Sequence, residues 1–244
     1  MSPAKTLATT VRVLDQLKHD RRTLALIFFV PCILLIIMRY VFDSNTVMFD
    51  SLAPMILGIF PLTVMFVVTS IAMLRERTTG TLDRLMTMPL SKLDLIFGYA
   101  LAFMLLAFIQ AVLASLVLLG LLGVTVQGGA LPLLICAIFA AFLGTALGLL
   151  MSAFAKTEFQ AEQFLPAFVL PQLLLCGLFV ARDLMAEPLQ WAANVLPLTY
   201  IVDAMKQVTI NSSWTTTLTR DLVIVAAFGI VCLVLGAITI HRTR

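Results

Sequence analysis

Charge is what this sequence has least of. Of 244 residues only 12% are Asp, Glu, Lys or Arg, while 61% are hydrophobic. Soluble domains carry about a quarter of their residues as charges. No polar stretch here is long enough to surround a soluble core, so the chain reads as a polytopic membrane protein. Histidine is nearly absent, with His19 and His241 near opposite ends and outside the apolar segments. The four cysteines, Cys32, Cys136, Cys176 and Cys232, stand alone inside apolar runs, with no CxxC pair. That leaves no metal-ligand spacing and no redox pair, and the cysteines read as small buried hydrophobes.

Other absences exclude whole classes of activity. None of the lysines Lys5, Lys18, Lys92, Lys156 and Lys206 follows a glycine in a GxxxxGK[ST] pattern, so no P-loop is present. An intramembrane hydrolase needs a nucleophile with a base in reach, and no histidine or aspartate pair falls in a span. Ion-coupled carriers place ionisable residues at mid-membrane, whereas Asp94, Glu158 and Glu162 fall near the ends of apolar segments. The net charge of +3 is spread along the chain and forms no nucleic-acid patch.

What is present is a series of six apolar runs, at 24–41, 52–73, 93–122, 131–154, 159–180 and 222–240, within one permease-like domain over 1–244. Each is close to or beyond the ~20 residues that cross a bilayer core. Phe42-Asp43-Ser44-Asn45 after the first run offers no small-residue cleavage site, so that run reads as a retained span. Pro54 and Pro61 are expected to bend the second. The third is longer than a straight span needs, which predicts tilt, and Gln110 is its main polar interruption. In the fourth, Ala140, Gly144, Gly148 and Ser152 recur every four residues, a ladder of small side chains read as close packing within the chain. The fifth carries Gln163, Pro166, Pro171 and Gln172. An irregular, partly polar membrane helix of this kind suits the lining of a pathway.

Three further segments are helical without spanning. In 1–23, Leu7, Val11, Leu14 and Leu17 share one side, and Arg12, Asp15, His19 and Arg22 the other, which predicts an interfacial helix lying against membrane lipids. In 182–211, Pro188 opens a short helix with Leu189, Ala192 and Leu196 on one side, ended by Pro197. Thr199 caps a second, with Ile201, Val202, Met205 and Val208 as its apolar stripe. Trp191, Tyr200 and Trp214 suit an interface, and the pair reads as a hairpin dipping into the outer leaflet. The third segment, 75–88, crowds Arg75, Glu76, Arg77, Asp83 and Arg84 between two apolar runs. Before Gly80 it reads as the polar end of a membrane helix. After Gly80, Thr81 caps a short helix whose Leu82, Leu85 and Met86 share a face until Pro89 stops it. Twelve of the 16 basic residues fall in 1–23, 75–92, at Lys156 and in the C-terminal tail. Arg39, Arg182, Lys206 and Arg220 remain on the other side, a bias that predicts both termini in the cytoplasm.

Glu76-Arg77-x-x-Gly80-Thr81-x-Asp83-x-Leu85 resembles the cytoplasmic signature of type-2 ABC exporter permeases, and Met88-Pro89-Leu90-Ser91 resembles its continuation. Near the other end of the chain, Pro197-Leu198-Thr199-Tyr200 followed by Asp203-Ala204-Met205-Lys206 resembles the family's Pro-Leu-Thr-Tyr-x-x-Asp-Ala-x-Arg stretch. The usual Asn before that proline is Leu196 here, and the usual Arg is Lys206. The resemblance implies an all-α fold with six transmembrane helices, a connecting helix, a coupling helix over 75–88 and an external re-entrant hairpin. It also implies that Arg75, Glu76, Arg77, Gly80, Thr81, Asp83, Arg84 and Leu85 dock on a separate ATP-binding cassette ATPase. ATP and Mg would be bound by that partner and no cofactor by this chain, and a second permease copy would complete the pathway in the plasma or inner membrane. With 17 Phe against 3 Tyr and 2 Trp, the aromatic content suits a drug-like or lipid-like amphiphile. A polysaccharide or glycolipid is the alternative cargo.

Overall fold

A computed structural model describes residues 2–87 and 91–239, without the side chains of Asp83 and Met86. Its helices are α1 (Pro3–His19), α2 (Arg21–Val41), α3 (Thr46–Thr78), α4 (Thr81–Thr87) and α5 (Lys92–Leu116), the last running on into a π-helical turn at Val117–Leu121. They continue with α6 (Ala130–Ser152), α7 (Glu158–Leu175), α8 (Glu187–Val195), α9 (Pro197–Ile210) and α10 (Thr216–Thr239). No strand occurs among the described residues. The stop expected at Pro89 lies outside the described residues.

Among the described residues five helices are long and apolar enough to cross a membrane: α2, α3, α5 with its extension, α6 and α10. The sixth expected span differs. The helix in that region, α7, is only 18 residues long and ends at Leu175 rather than reaching 180. Glu158, Gln160, Glu162 and Gln163 fill its first two turns, and beyond it the backbone bends at Gly177, where φ is +87°. The first boundary also moves. Asp20 interrupts the N-terminal segment and accepts a hydrogen bond from the Thr23 N–H at 3.1 Å, so α2 starts at Arg21 and takes Arg22 away from α1.

Hydrocarbon tails are as apolar as leucine, so membrane helices associate through close contact rather than through exclusion of water. The seam between α3 and α6 follows this rule. A Cβ on Gly144 would run into the Leu62 carbonyl, and one on Gly148 into the Phe66 carbonyl and the Thr69 hydroxyl. Ala140, Gly144, Gly148 and Ser152 are all buried, so the ladder is internal packing. Around this seam lie α5, α9 and α10. Over its most apolar 18 residues α6 is 61% buried and α2 only 17%, which puts α6 at the centre and α2 at the lipid-facing edge. Pro54 and Pro61 are buried within a continuous α3.

Candidate functional site

The polar stretch after the second span divides at Gly80. The first half, through Thr78, prolongs α3; Gly80 then turns the chain with φ at +72° and α4 begins. No described residue comes within 4 Å of a Cβ added to Gly80, so the glycine answers to the backbone, with φ in the left-handed region. Thr81 is not the cap. It is the first residue of α4, whose first turn closes with the Arg84 N–H donating to the Gly80 carbonyl at 3.3 Å. The Thr81 hydroxyl lies 3.0 Å from that of Thr79. Leu82 and Leu85 are buried among Val13, Leu17 and Met73, and they anchor α4 to the bundle, while Arg84 is exposed. The Asp83 side chain lies outside the described residues.

The charged residues before Gly80 bind the ends of other helices. Arg75 donates Nε and Nη2 to the Glu158 carboxylate of α7 at 2.8 and 3.0 Å, a bidentate pair on the surface. Those bonds hold the Glu158 carboxyl below the ordinary glutamate range. Arg77 donates to the Ser152 carbonyl at the end of α6. Glu76 turns inward. Its side chain is 9% exposed and accepts from Arg12 of α1 at 3.2 Å. Arg12 also donates to the Tyr99 hydroxyl of α5 at 2.5 Å and covers the Tyr99 ring at 5.6 Å.

Arg12 and Tyr99 were absent from the sequence-derived site. The signal for Tyr99 was present, because a tyrosine inside an apolar run needs a partner for its hydroxyl. The sequence puts Arg12 on the polar side of α1, opposite Leu7, Val11, Leu14 and Leu17. In the structure the face of α1 turned to the protein is threonine-rich: Thr6, Thr9, Thr10, Val13 and Leu17 are buried. An added Cβ on Gly98 would lie 2.5 Å from the Thr9 Cβ, and the Thr10 hydroxyl donates to the Gly98 carbonyl at 3.1 Å. Asp94 closes the contact, accepting from the Ser2 N–H at 2.8 Å and from the Thr6 hydroxyl at 3.3 Å. Leu7 and Val11 stay 61% and 52% exposed, so the outer side of α1 retains an apolar stripe. At its end, the Thr23 hydroxyl and N–H hold Asp20 below its ordinary value.

The second motif lies at the opposite end of α3. Ile201, Val202, Met205 and Val208 are buried as a stripe on α9, and Ile201 and Met205 cover Gly58 of α3. Leu198 and Pro197 are buried in its first turn. Thr199 does not cap; Leu196 holds that position, and the Thr199 hydroxyl donates to the Ala193 carbonyl at 2.8 Å, tying α9 to α8. The Tyr200 hydroxyl does the same to the Asn194 carbonyl at 2.6 Å. Asp203 pairs with Arg182, burial pushing its carboxyl up while Arg182 opposes the shift. Lys206 is exposed. On α8, Leu189 and Ala192 face outward, and Trp191 is 71% exposed.

The four residues singled out on α7 divide. Gln163, Pro166 and Pro171 lie on its exposed side. Gln172 is buried, donating to the Phe168 carbonyl at 3.0 Å and accepting from the Leu198 N–H at 3.3 Å, so it serves an orphan donor at the start of α9.

Residues 5–210 match the model of the ABC-2 type transporter family. The chain is similar to ABC transporter G family member 20 of Dictyostelium discoideum, at 25% identity over 166 residues, covering 68% of this chain and 23% of that protein. It is similar to the probable multidrug ABC transporter permease YbhS of Escherichia coli, at 24% identity over 169 residues, 69% of this chain and 45% of that one. It also resembles the inner membrane transport permease YhhJ of E. coli, at 29% identity over 139 residues, 56% and 37% of the two chains. The matches thus span less than half the length of these relatives. The family match, from the first turn of α1 to the last residue of α9, makes this chain a multi-pass membrane protein of the ABC-2 type transporter family.

Proposed function

We propose that the chain is the permease of an ATP-driven exporter, carrying a hydrophobic or amphiphilic compound outward across a plasma or inner membrane. In this reading α7 is a sixth span, both termini are cytoplasmic, and α4 is the coupling helix on which a separate ATP-binding cassette subunit docks. The observation that carries it is the attachment of α4. This short helix hangs from a glycine with positive φ, is anchored by Leu82 and Leu85, and presents Arg84 outward beside ion pairs that reach α1 and α7. A push on α4 therefore reaches the ends of several helices together. The coupling role falls to Gly80, Thr81, Asp83, Arg84 and Leu85, with Glu76, Arg75 and Arg77 transmitting the movement.

The exposed side of α7 supports a second copy. Gln163 beside Pro166 and Pro171 is costly against lipid, and protein or a water-filled pathway relieves that cost. The test is co-purification with the ATPase from the neighbouring reading frame, followed by ATP hydrolysis and transport with Gly80→Val. A side chain forced to positive φ costs about 1–2 kcal/mol, and no described residue lies within 4 Å of the added Cβ. The variant should insert and bind the ATPase, yet lose transport. Full transport by Gly80→Val, or transport by this chain alone, would overturn the reading.

A further inference from the structure

A cavity of about 560 Å³ opens at the α8/α9 end, between the loop that follows α7, helices α8 and α9, and the start of α10. Its size lies within the ~300–1,000 Å³ typical of small-molecule sites. The wall carries three cations, Arg182, Lys206 and Arg220, against two carboxylates, Asp183 and Asp203. Asp203 is engaged by Arg182, whose Nη1 also donates to the Asn194 side-chain oxygen at 3.3 Å. Arg220 donates Nε and Nη2 to one oxygen of Asp221 at 3.1 and 2.9 Å, and its Nη1 has no hydrogen bond among the described residues. Asp221 itself is fully buried and forms no part of the wall. Lys206 is exposed and makes no hydrogen bond or ion pair among the described residues; it feels Asp203 only at longer range. An ammonium and a guanidinium thus line the cavity with N–H groups unengaged. Asp183, also exposed and unbonded among the described residues, is the carboxylate left to oppose an anion there.

Depth decides what kind of anion suits these donors. α10 is long and apolar enough to cross a membrane, and from Leu222 to Thr239 it carries no charged residue. Arg220 therefore stands where the hydrocarbon run begins, at the level of lipid headgroups. Apolar side chains frame the cavity: Phe179, Val180 and Leu184, on either side of Arg182 in the chain, are exposed, as is Val223 beside Ile224 of the wall. Such a frame suits an anion tethered to hydrocarbon better than a free one. Guanidinium and ammonium groups both make strong, charge-assisted hydrogen bonds to phosphate oxygens. We propose that this cavity binds a phosphate ester, supplied by a lipid headgroup, with its oxygens between Lys206 and Arg220 and its hydrocarbon along Val223 and Ile224. Only the further step, that the bound lipid is cargo, rests on the exporter reading.

Binding is therefore measured on the purified chain in a neutral maltoside detergent, with no ATPase and no ATP, by titrating dioleoyl phosphatidylglycerol and counting bound copies by native mass spectrometry. Saturable binding of a first copy is expected, weakened about fivefold by Lys206→Gln, the order of one unit charge at ~4 Å in water-like surroundings. Lys206→Glu should abolish it. Asp183→Asn should strengthen it by a similar factor, a gain that a damaged fold would not produce. A lipid with the same chains and a trimethylammonium headgroup should bind no more weakly to the Lys206 variants than to the natural chain. Lys206 holds no other residue by a hydrogen bond or ion pair among those described, so the thermal unfolding of Lys206→Gln should be unchanged and its result readable. Glycerol 3-phosphate, which carries the phosphate without chains, should fail to displace the lipid; displacement would support the phosphate site with a soluble ester as its occupant. No saturable binding, or equal binding by the natural chain and both Lys206 variants, overturns the proposal.

Discussion

At the α4 end, polar side chains join helices far apart in the sequence. Arg12 reaches Glu76 across 64 positions, Arg75 reaches Glu158 across 83, and Arg77 reaches the Ser152 carbonyl across 75. At the α8/α9 end the ion pairs are local, Arg182 with Asp203 across 21 positions and Arg220 with Asp221 across one. There, long-range contact is made by Ile201 and Met205 of α9 against Gly58. Water and counterions can replace the half-exposed Arg75–Glu158 pair at little cost, whereas an apolar stripe pressed on a glycine has no such substitute. One end is thus cross-linked yet able to rearrange, and the other is packed and held. That asymmetry suits a lever at α4 working against a fixed α9.

The sharpest way to break the comparison is to cut the seam that joins the two ends. Gly144→Leu would drive a side chain into the Leu62 carbonyl on a helix that cannot retreat without moving α9 and α10. It should remove the folded protein altogether, read as loss of the monodisperse peak in size-exclusion chromatography. A folded Gly144→Leu variant would mean that α3 and α6 do not meet as described.

Next come the ends themselves. Glu76→Lys sets an ammonium against Arg12 in a largely buried place, and breaking such a pair costs about 3 kcal/mol. Arg12→Glu in the same chain should recover part of it, measured by thermal unfolding in detergent. Asp203→Asn should cost less. Burial raises the Asp203 carboxyl, so its charge contributes a penalty that grows as pH rises through the ordinary aspartate range. Removing the charge removes that penalty together with the Arg182 bond, and the net change should stay within about 1 kcal/mol at neutral pH. A larger loss for Asp203→Asn than for Glu76→Lys would reverse the assignment of the two ends.

Much of this arrangement is legible in residue spacing. The small-residue ladder at Ala140, Gly144, Gly148 and Ser152 reads directly as a close helix contact, because only glycine and its smallest neighbours permit backbone approach. The α9 stripe reads as well, since its period is that of a buried helix face. Partnership between polar groups does not read. Nothing in the spacing of Arg12 tells that it turns away from solvent to meet Glu76 and Tyr99, because that depends on how α1 lies along α5. A threonine stripe carries no hydropathy signal, so Leu7 and Val11 drew attention while Thr6, Thr9 and Thr10 made the contact. The expected helix caps lie one residue off at Thr81 and three off at Thr199 for a related reason: glycine at positive φ and leucine before proline serve as well, and local spacing does not rank them.

The smallest expected effect is the most direct measure of how loosely the α4 end is joined. Arg75 and Glu158 are about half exposed, so their bidentate pair should couple by about 0.2–1 kcal/mol in a double-mutant cycle of Arg75→Gln and Glu158→Gln. Its pH dependence follows from the lowered Glu158 carboxyl. A carboxylate held below its unfolded value stabilises fully above that value, near pH 4, and the contribution is lost as pH falls through the lower folded value. The coupling should therefore persist at pH 6 and vanish in acid, and it should shrink with added salt because water reaches the pair. A coupling of several kcal/mol, indifferent to salt, would make α7 rigidly fixed to α3 and the α4 end no looser than the α9 end.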